Sequence, residues 1–144
     1  MKHFEPTVVA FCCTFCAQPA QSGARPKKIK QLTPVRVIKL PCMGRIDSVH
    51  VLKAFENGAD TVFLAGAPQG QCRFIQGTAA AQKKIEYTRK LLKEVGIEPE
   101  RLEMFTMSAA KAPPFTKAAD EMTKRAMALG PSPLKKAAKK TQAA

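Results

Sequence analysis

No stretch of the 144 residues approaches the roughly 18 consecutive apolar residues that a membrane span needs. Membrane association by a spanning helix is therefore not expected. Lys2 and His3, followed by an apolar run from Thr7 to Ala17, imitate a short secretory signal. Glu5, Pro6 and three thiols within that run speak against one. Acidic residues are scarce: 11 Asp and Glu face 24 Lys and Arg, and 24 − 11 leaves a formal net charge of +13. Such a balance attracts anionic partners. One basic cluster gathers Arg25, Lys27, Lys28 and Lys30, another Lys135, Lys136, Lys139 and Lys140. Neither contains an aromatic ring to stack on a base, which argues against specific nucleic-acid binding. Histidine is nearly missing. His3 lies at the terminus and His50 on a predicted helix, and neither is read as a metal ligand. The chain also lacks a glycine-rich phosphate loop, a carboxylate pair and a nucleophile paired with a base, so no catalytic residue is nominated.

What the chain does have is cysteine. Val8 to Cys16 places Cys12, Cys13 and Cys16 at the end of one apolar run, and Cys42 and Cys72 follow. Five is an odd number, so a complete set of disulfides would leave one thiol over. Three thiols within five residues also suit ligation better than stapling, because a disulfide between near neighbours closes a tiny loop. A reducing, cytoplasmic setting is expected. Structural zinc usually takes two close pairs of ligands. Here one close pair is followed by single cysteines 26 residues on (Cys16 to Cys42) and 30 further (Cys42 to Cys72). An iron-sulfur cluster also takes four thiolates, tolerates dispersed ligands and carries negative charge that suits basic surroundings. Spacing alone leaves both metals open, together with a Cys13-x-x-Cys16 dithiol redox centre.

Hydrophobic patterning predicts alternating strands and helices. Val8 onward reads as a buried strand whose thiols sit on its exit loop, and a short helical turn and surface loop run to Pro34. Val35 to Leu40 is a second strand, stopped by Pro41, Cys42 and Gly44 in a loop of special backbone geometry. Asp47 is placed to cap a helix whose Val49, Leu52 and Phe55 share a face, with Gly58 at its end. Thr61 to Ala65 is a third strand. A long helix from Thr78 to Val95 turns Ala81, Ile85, Thr88, Leu92 and Val95 inward and Lys83, Lys84, Lys90 and Lys93 to water, and ends at Gly96. Arg101 to Met107 is a more polar fourth strand near a sheet edge. Phe115, Ala119, Met122, Ala126 and Leu129 mark a last helix before Gly130-Pro131-Ser132-Pro133 closes the domain. The expected fold is α/β: a four-stranded parallel sheet in three layers, flavodoxin- or Rossmann-like. Residues 1–130 form the domain and 131–144 a basic, flexible, disordered tail. Parallel strands share a direction, so Cys12, Cys13, Cys16, Cys42 and Cys72 should meet at the carboxyl edge of the sheet, where open sheets bind ligands.

Val9-Ala10-Phe11-Cys12-Cys13 with Cys16, Pro41-Cys42-Met43-Gly44-Arg45-Ile46-Asp47, Leu52-Lys53-Ala54-Phe55-Glu56-Asn57-Gly58-Ala59-Asp60 and Gly96-Ile97-Glu98-Pro99-Glu100-Arg101 resemble, in order, the delta subunit of methyl-viologen-reducing hydrogenase. The resemblance spans Val8 to Leu129. It implies a small iron-sulfur subunit with a 2Fe-2S cluster, non-catalytic itself, relaying single electrons between a hydrogenase or other donor module and heterodisulfide reductase. Cys12, Cys13, Cys16, Cys42 and Cys72 fall on cysteine positions of the family pattern. Four thiolates suffice for a cluster, and adjacent residues of an extended chain point oppositely, which favours Cys13 over Cys12. Gly44 and Gly70 are expected to bring backbone amides near the sulfurs. Two departures stand out. The family loop reads Gly-Cys-x-x-Gly-Asp-Cys-His, whereas Gly66 is followed here by Ala67, and Cys72 by Arg73. The alternative function is a zinc-stabilised or dithiol protein-binding module without electron transfer.

Overall fold

The computed structural model describes residues 4–13, 35–68, 76–106 and 113–135. Four strands, β1 (Val8–Cys13), β2 (Val35–Leu40), β3 (Thr61–Gly66) and β4 (Leu102–Thr106), form one sheet in the order β2-β1-β3-β4. Every pairing is parallel. The two inner strands are the apolar runs VVAFCC and TVFLAG, buried at every position. Continuous burial of that kind requires cover on both faces of the sheet. The more polar β4 occupies an edge, as expected from its composition, and β2 occupies the other.

Among the described residues three helices cover the sheet: α1 (Ser48–Glu56), α2 (Gly77–Glu94) and α3 (Pro113–Leu129). Alternation along β3 shows which lies where. Thr61 Oγ1 donates to the Met122 carbonyl at 3.2 Å, and the Phe63 ring lies 5.7 Å from that of Phe115, so odd positions face α3. Gly66, an even position, faces Met43 and Met104. The helices α1 and α2 touch each other through Ser48 Oγ and Thr88 Oγ1, 2.8 Å apart. The three-layer α/β architecture is thus the one the sequence predicts.

Helix ends follow local chemistry. Asp47 Oδ1 accepts from the Ser48 amide at 2.7 Å, and the His50 ring in turn accepts from the Asp47 amide at 3.0 Å, a reciprocal cap. His50 thereby has a local structural task. Gly58 at φ +102° and Gly96 at φ +81° adopt the left-handed backbone that ends α1 and follows α2.

Several expectations need correction. Cys12 and Cys13 lie within β1, not on its exit loop, because they pair with Lys39 and Leu40 to the last residue of β2. Phe55 is fully buried and Leu52 half-buried as expected, but Val49 is 54% exposed, and Ser48, Val51 and Ala54 complete the inner face of α1. Steps of three residues fall about 60° short of a full turn each, so Val49 and Phe55 stand about 120° apart on the helix. Val95 sits beyond the end of α2 and is exposed. Lys84 is half-buried: its Nζ donates to the Gly44 carbonyl at 3.2 Å. Gly44 does not take the left-handed backbone found at Gly58, Gly96 and Gly130. Arg101 precedes β4, at the end of a 3-10 turn, and is buried at 1% exposure. The predicted helical turn after Cys16 and the residues 136–144 of the tail lie outside the described residues.

The amino end of the sheet is held by two buried charges. Arg101 donates to the Asp60 carbonyl (3.0 Å), the Gly130 carbonyl (2.9 Å), the Leu129 carbonyl (3.2 Å) and the Glu98 carboxylate (2.7 Å). Asp60, fully buried, accepts from the Thr7 amide (2.8 Å), the Ser132 amide (2.9 Å) and Lys135 Nζ (2.8 Å). Ser132 and Lys135 therefore belong to the packed body rather than to a solvated extension. Replacing Arg101 with Met is expected to lower stability by about 3 kcal/mol in urea unfolding, because three backbone carbonyls lose a buried donor. A loss below about 1 kcal/mol would show that water takes its place.

Glu103 links both faces, accepting from Arg125 on α3 at 3.1 Å and pairing with Arg89 on α2 at 2.8 Å. Burial alone would raise its pKa, but the Arg125 hydrogen bond and the Arg89 charge hold it below the ordinary carboxylate range. A depressed pKa stabilises the fold above the unfolded-state value, and the benefit disappears as pH falls through and below that value. Between pH 6 and pH 3 the denaturant midpoint should fall more steeply in the natural protein than in Glu103→Gln. Parallel pH profiles would contradict this.

Candidate metal centre

Register decides which sulfurs approach one another. Cys13 pairs with Leu40, and the chain leaving β2 turns at once through Pro41 to Cys42. The Cys13 thiol donates to the Pro41 carbonyl at 3.6 Å, so the thiol ending β1 sits against the residue before Cys42. Cys42 caps a 3-10 turn, Met43–Arg45, and its Sγ accepts from the Gly44 amide at 3.4 Å. Cys42 is 8% exposed, at the mouth of a cleft of about 320 Å³ lined by Pro41, Cys42, Gly44, Arg45, Gln76 and Gly77 with Ala80.

Proximity, not backbone conformation, favours glycine at position 44. A Cβ at Gly44 would stand 3.1 Å from Gly77 Cα and 3.6 Å from Cys42 Sγ. The turn carrying Cys42 thus lies directly on the first turn of α2, and Lys84 of α2 holds the Gly44 carbonyl from beyond. A further tie joins α2 to the end of β3: Thr78 Oγ1 donates to the Ala67 carbonyl at 2.8 Å. Ala67, where the family pattern carries cysteine, is buried at 5% exposure.

Cys12 belongs elsewhere. It has no exposure, pairs with Lys39 and Ala65 on its two sides, and burial pushes its thiol up to about 12, with Cys13 adding to the shift and Lys39 opposing it. Such a thiol is a small core side chain.

Of the predicted ligands, Cys13 and Cys42 are therefore at one edge together, with the Gly44 amide donating to Cys42 Sγ. Cys16, Cys72 and Gly70 lie outside the described residues. Among the described residues no group of three or more Cys, His, Asp or Glu gathers closely enough to hold a metal ion. The donors that are described suit an iron-sulfur group: thiol sulfurs, a backbone N–H already aimed at one of them, and a lysine and an arginine nearby. Sequence reading finds Cys42 and Gly44 but misses Gly77, Lys84 and Arg45. A glycine at the very start of a helix, opposite a loop glycine, is the signal that marks such a backbone contact.

A parallel sheet that sets thiols and an amide at its carboxyl edge defines a thiol-bearing α/β protein suited to metal or redox chemistry. The family follows from comparison: the model for the delta subunit of methyl-viologen-reducing hydrogenase matches residues 8–130. The chain belongs to this family. It is 39% identical over 131 residues to the vhu iron-sulfur subunit of the F420-non-reducing hydrogenase of Methanocaldococcus jannaschii, covering 91% of this chain and 98% of that protein. The corresponding protein of Methanopyrus kandleri is 41% identical over 127 residues, 88% of this chain and 96% of its own length. A subunit of the ferredoxin:CoB-CoM heterodisulfide reductase of Methanosarcina mazei is 35% identical over 126 residues, 88% of this chain but 16% of that protein. Among the described residues no helix is long and apolar enough to cross a membrane.

Substituting Gly44→Ala should cost about 1–3 kcal/mol in thermal or denaturant unfolding, since the intruding methyl meets backbone rather than a flexible side chain. A variant as stable as the natural protein would show that the Cys42 turn and α2 separate freely.

Proposed function

We propose that this chain is an iron-sulfur electron carrier, with a 2Fe-2S cluster held by Cys13, Cys16, Cys42 and Cys72 at the carboxyl edge of the sheet. It makes and breaks no substrate bond and has no catalytic residue. Its role is to pass single electrons between a hydrogenase or other donor module and heterodisulfide reductase, in the cytoplasm. The observation that carries this reading is the Gly44 amide at 3.4 Å from Cys42 Sγ, beside a Cys13 thiol delivered to the adjoining residue by strand register. Amide donors of this kind stabilise the extra negative charge of thiolate and cluster and so tune the potential.

Chain length is compatible with the two remaining ligands. Cys16 is three residues from Cys13, and Cys72 is four residues from Gln76, which lines the Cys42 cleft. Segments this short span at most roughly 10 to 14 Å. Gly70, two residues before Cys72, is the matching source of a second amide. Cys12 is left as a core residue, since it points away from its neighbour on an extended strand and is wholly enclosed.

The way relatives are built supports these partners. A similar sequence occupies 16% of a heterodisulfide reductase protein in Methanosarcina mazei, and stands as a separate hydrogenase protein in Methanocaldococcus jannaschii. A module found within one protein and separate in another fits between the two as a relay.

Anaerobic purification tests the reading. A brown protein that bleaches with dithionite and gives a paramagnetic signal when reduced is expected; a colourless protein holding stoichiometric zinc would replace the cluster with a structural metal. Cys42→Ser should lose colour and iron while its circular dichroism stays that of the natural protein, because burial supplies most of the stability of a chain this size. Cys12→Ala should keep both. Full iron content in Cys42→Ser would remove Cys42 from the ligands.

A further inference from the structure

Charge is not spread evenly along the axis of the sheet. Parallel strands end, and the helices begin, at the carboxyl edge that holds Cys13 and Cys42. At that edge the described residues include Lys39 near the end of β2, Arg45 in the Cys42 turn, Lys83 and Lys84 in the second turn of α2, and Lys117 in the opening turns of α3. Lys39, Arg45, Lys83 and Lys117 are exposed. The carboxylate nearest in sequence to Arg45, Asp47, has an oxygen committed to the Ser48 amide. None of the ion pairs formed among the described residues involves Lys39, Arg45, Lys83 or Lys117. Toward the amino end the charge is mixed: Glu56, Glu94, Glu98, Glu100 and Glu103 lie among Arg36, Lys53, Lys90, Lys93, Arg101, Lys124 and Arg125, and ion pairs neutralise Glu98 and Glu103.

We propose that this carboxyl edge, from Lys39 through Arg45 to Lys83 and across to Lys117, is the docking face for an acidic surface of the redox partner protein. The inference rests on the relay function proposed above for its purpose, but not for its existence. Exposed cations without internal partners keep their field in solvent, and a complementary acidic face is steered onto them at short range. The same edge carries Cys42, 8% exposed beside an open cleft whose rim includes Arg45. A partner seated there docks at the same end of the sheet as Cys13 and Cys42. The described surface of the edge offers no fully exposed aromatic ring for stacking on bases: Phe105, near the end of β4, is half-buried edge-on against Phe63, and Tyr87, the exposed aromatic of α2, falls further along that helix.

The test uses the full chain and, as probe, separately purified heterodisulfide reductase from the same source, with a 20-base-pair DNA duplex as competitor. Association should slow about tenfold between 50 and 300 mM NaCl, as screening shortens the reach of exposed charge. Combined Lys39→Glu, Arg45→Glu and Lys83→Glu should slow it at least about tenfold at 50 mM salt and flatten the salt dependence. Lys39→Glu with Lys117→Glu, which leaves the Cys42 turn untouched, should show a smaller effect of the same sign. Lys53→Glu with Lys93→Glu, toward the other end, should change association less than about twofold. The proposal is overturned if the probe fails to bind, if binding ignores salt, if the amino-end variant is hit as hard, or if the duplex binds more tightly than the probe. Iron content, measured on the same samples, separates the two ideas: brown protein indifferent to charge reversal defeats the docking face alone, whereas colourless protein with charge-dependent binding defeats the cluster alone.

Discussion

The level parallel register of β1 and β2 is the constraint on which this molecule depends. Val8 to Cys13 lie beside Val35 to Leu40 one for one, so the residue that ends the first strand stands next to the residue that ends the second. Residues 27 positions apart are thereby made neighbours, Cys13 and Leu40, and the chain needs two more residues to bring Cys42 to the same corner. Because strand side chains alternate in direction, a slip of one residue would exchange Cys12 for Cys13 and turn the wrong thiol toward the edge. Burial at every position fixes β1 between its neighbours, and on β2 the half-buried Val35, Val37 and Leu40 pack against the core in this register.

The two ends of the sheet divide the labour. At the amino end, Asp60 and Arg101 tie together the starts of β1 and β3, the turn before β4 and the exit from α3. Buried ions are costly unless fully bonded, and here each is met by several partners from distant parts of the chain. That end is tightly cross-linked. At the carboxyl end backbone groups, glycines and lysines surround sulfur. The Gly44–Gly77 contact lets the Cys42 turn rest on α2 with no side chain between, which fixes an amide against a thiol. The buried ion networks are concentrated at one end and the thiols Cys13 and Cys42 at the other, as open α/β sheets allow.

Much of this is legible in the sequence. The apolar runs that form β1 and β3, the cap at Asp47 and the stops at Gly58 and Gly96 all express local preferences that tertiary structure does not override. Cys42 and Gly44 can be nominated because thiol and glycine are informative residue types in a loop after a strand. What escapes is non-local. The burial of Arg101 depends on carbonyls at Asp60, Leu129 and Gly130, and nothing near Arg101 in sequence announces them. Lys84 reads as one more solvated lysine, and only the fold puts the Cys42 turn within its reach. Val49 is misplaced by a spacing of three where the helix repeats at 3.6. Lys135 reads as tail charge, yet it is the counter-ion of a buried aspartate 75 residues earlier.

Iron-edge X-ray absorption on the full chain, purified without oxygen, tests most directly whether strand register assembles a sulfur-bound metal group. The account predicts iron in a shell of sulfur alone, with a second iron as its near neighbour. Iron bound by nitrogen or oxygen, or a spectrum showing zinc in its place, would contradict it.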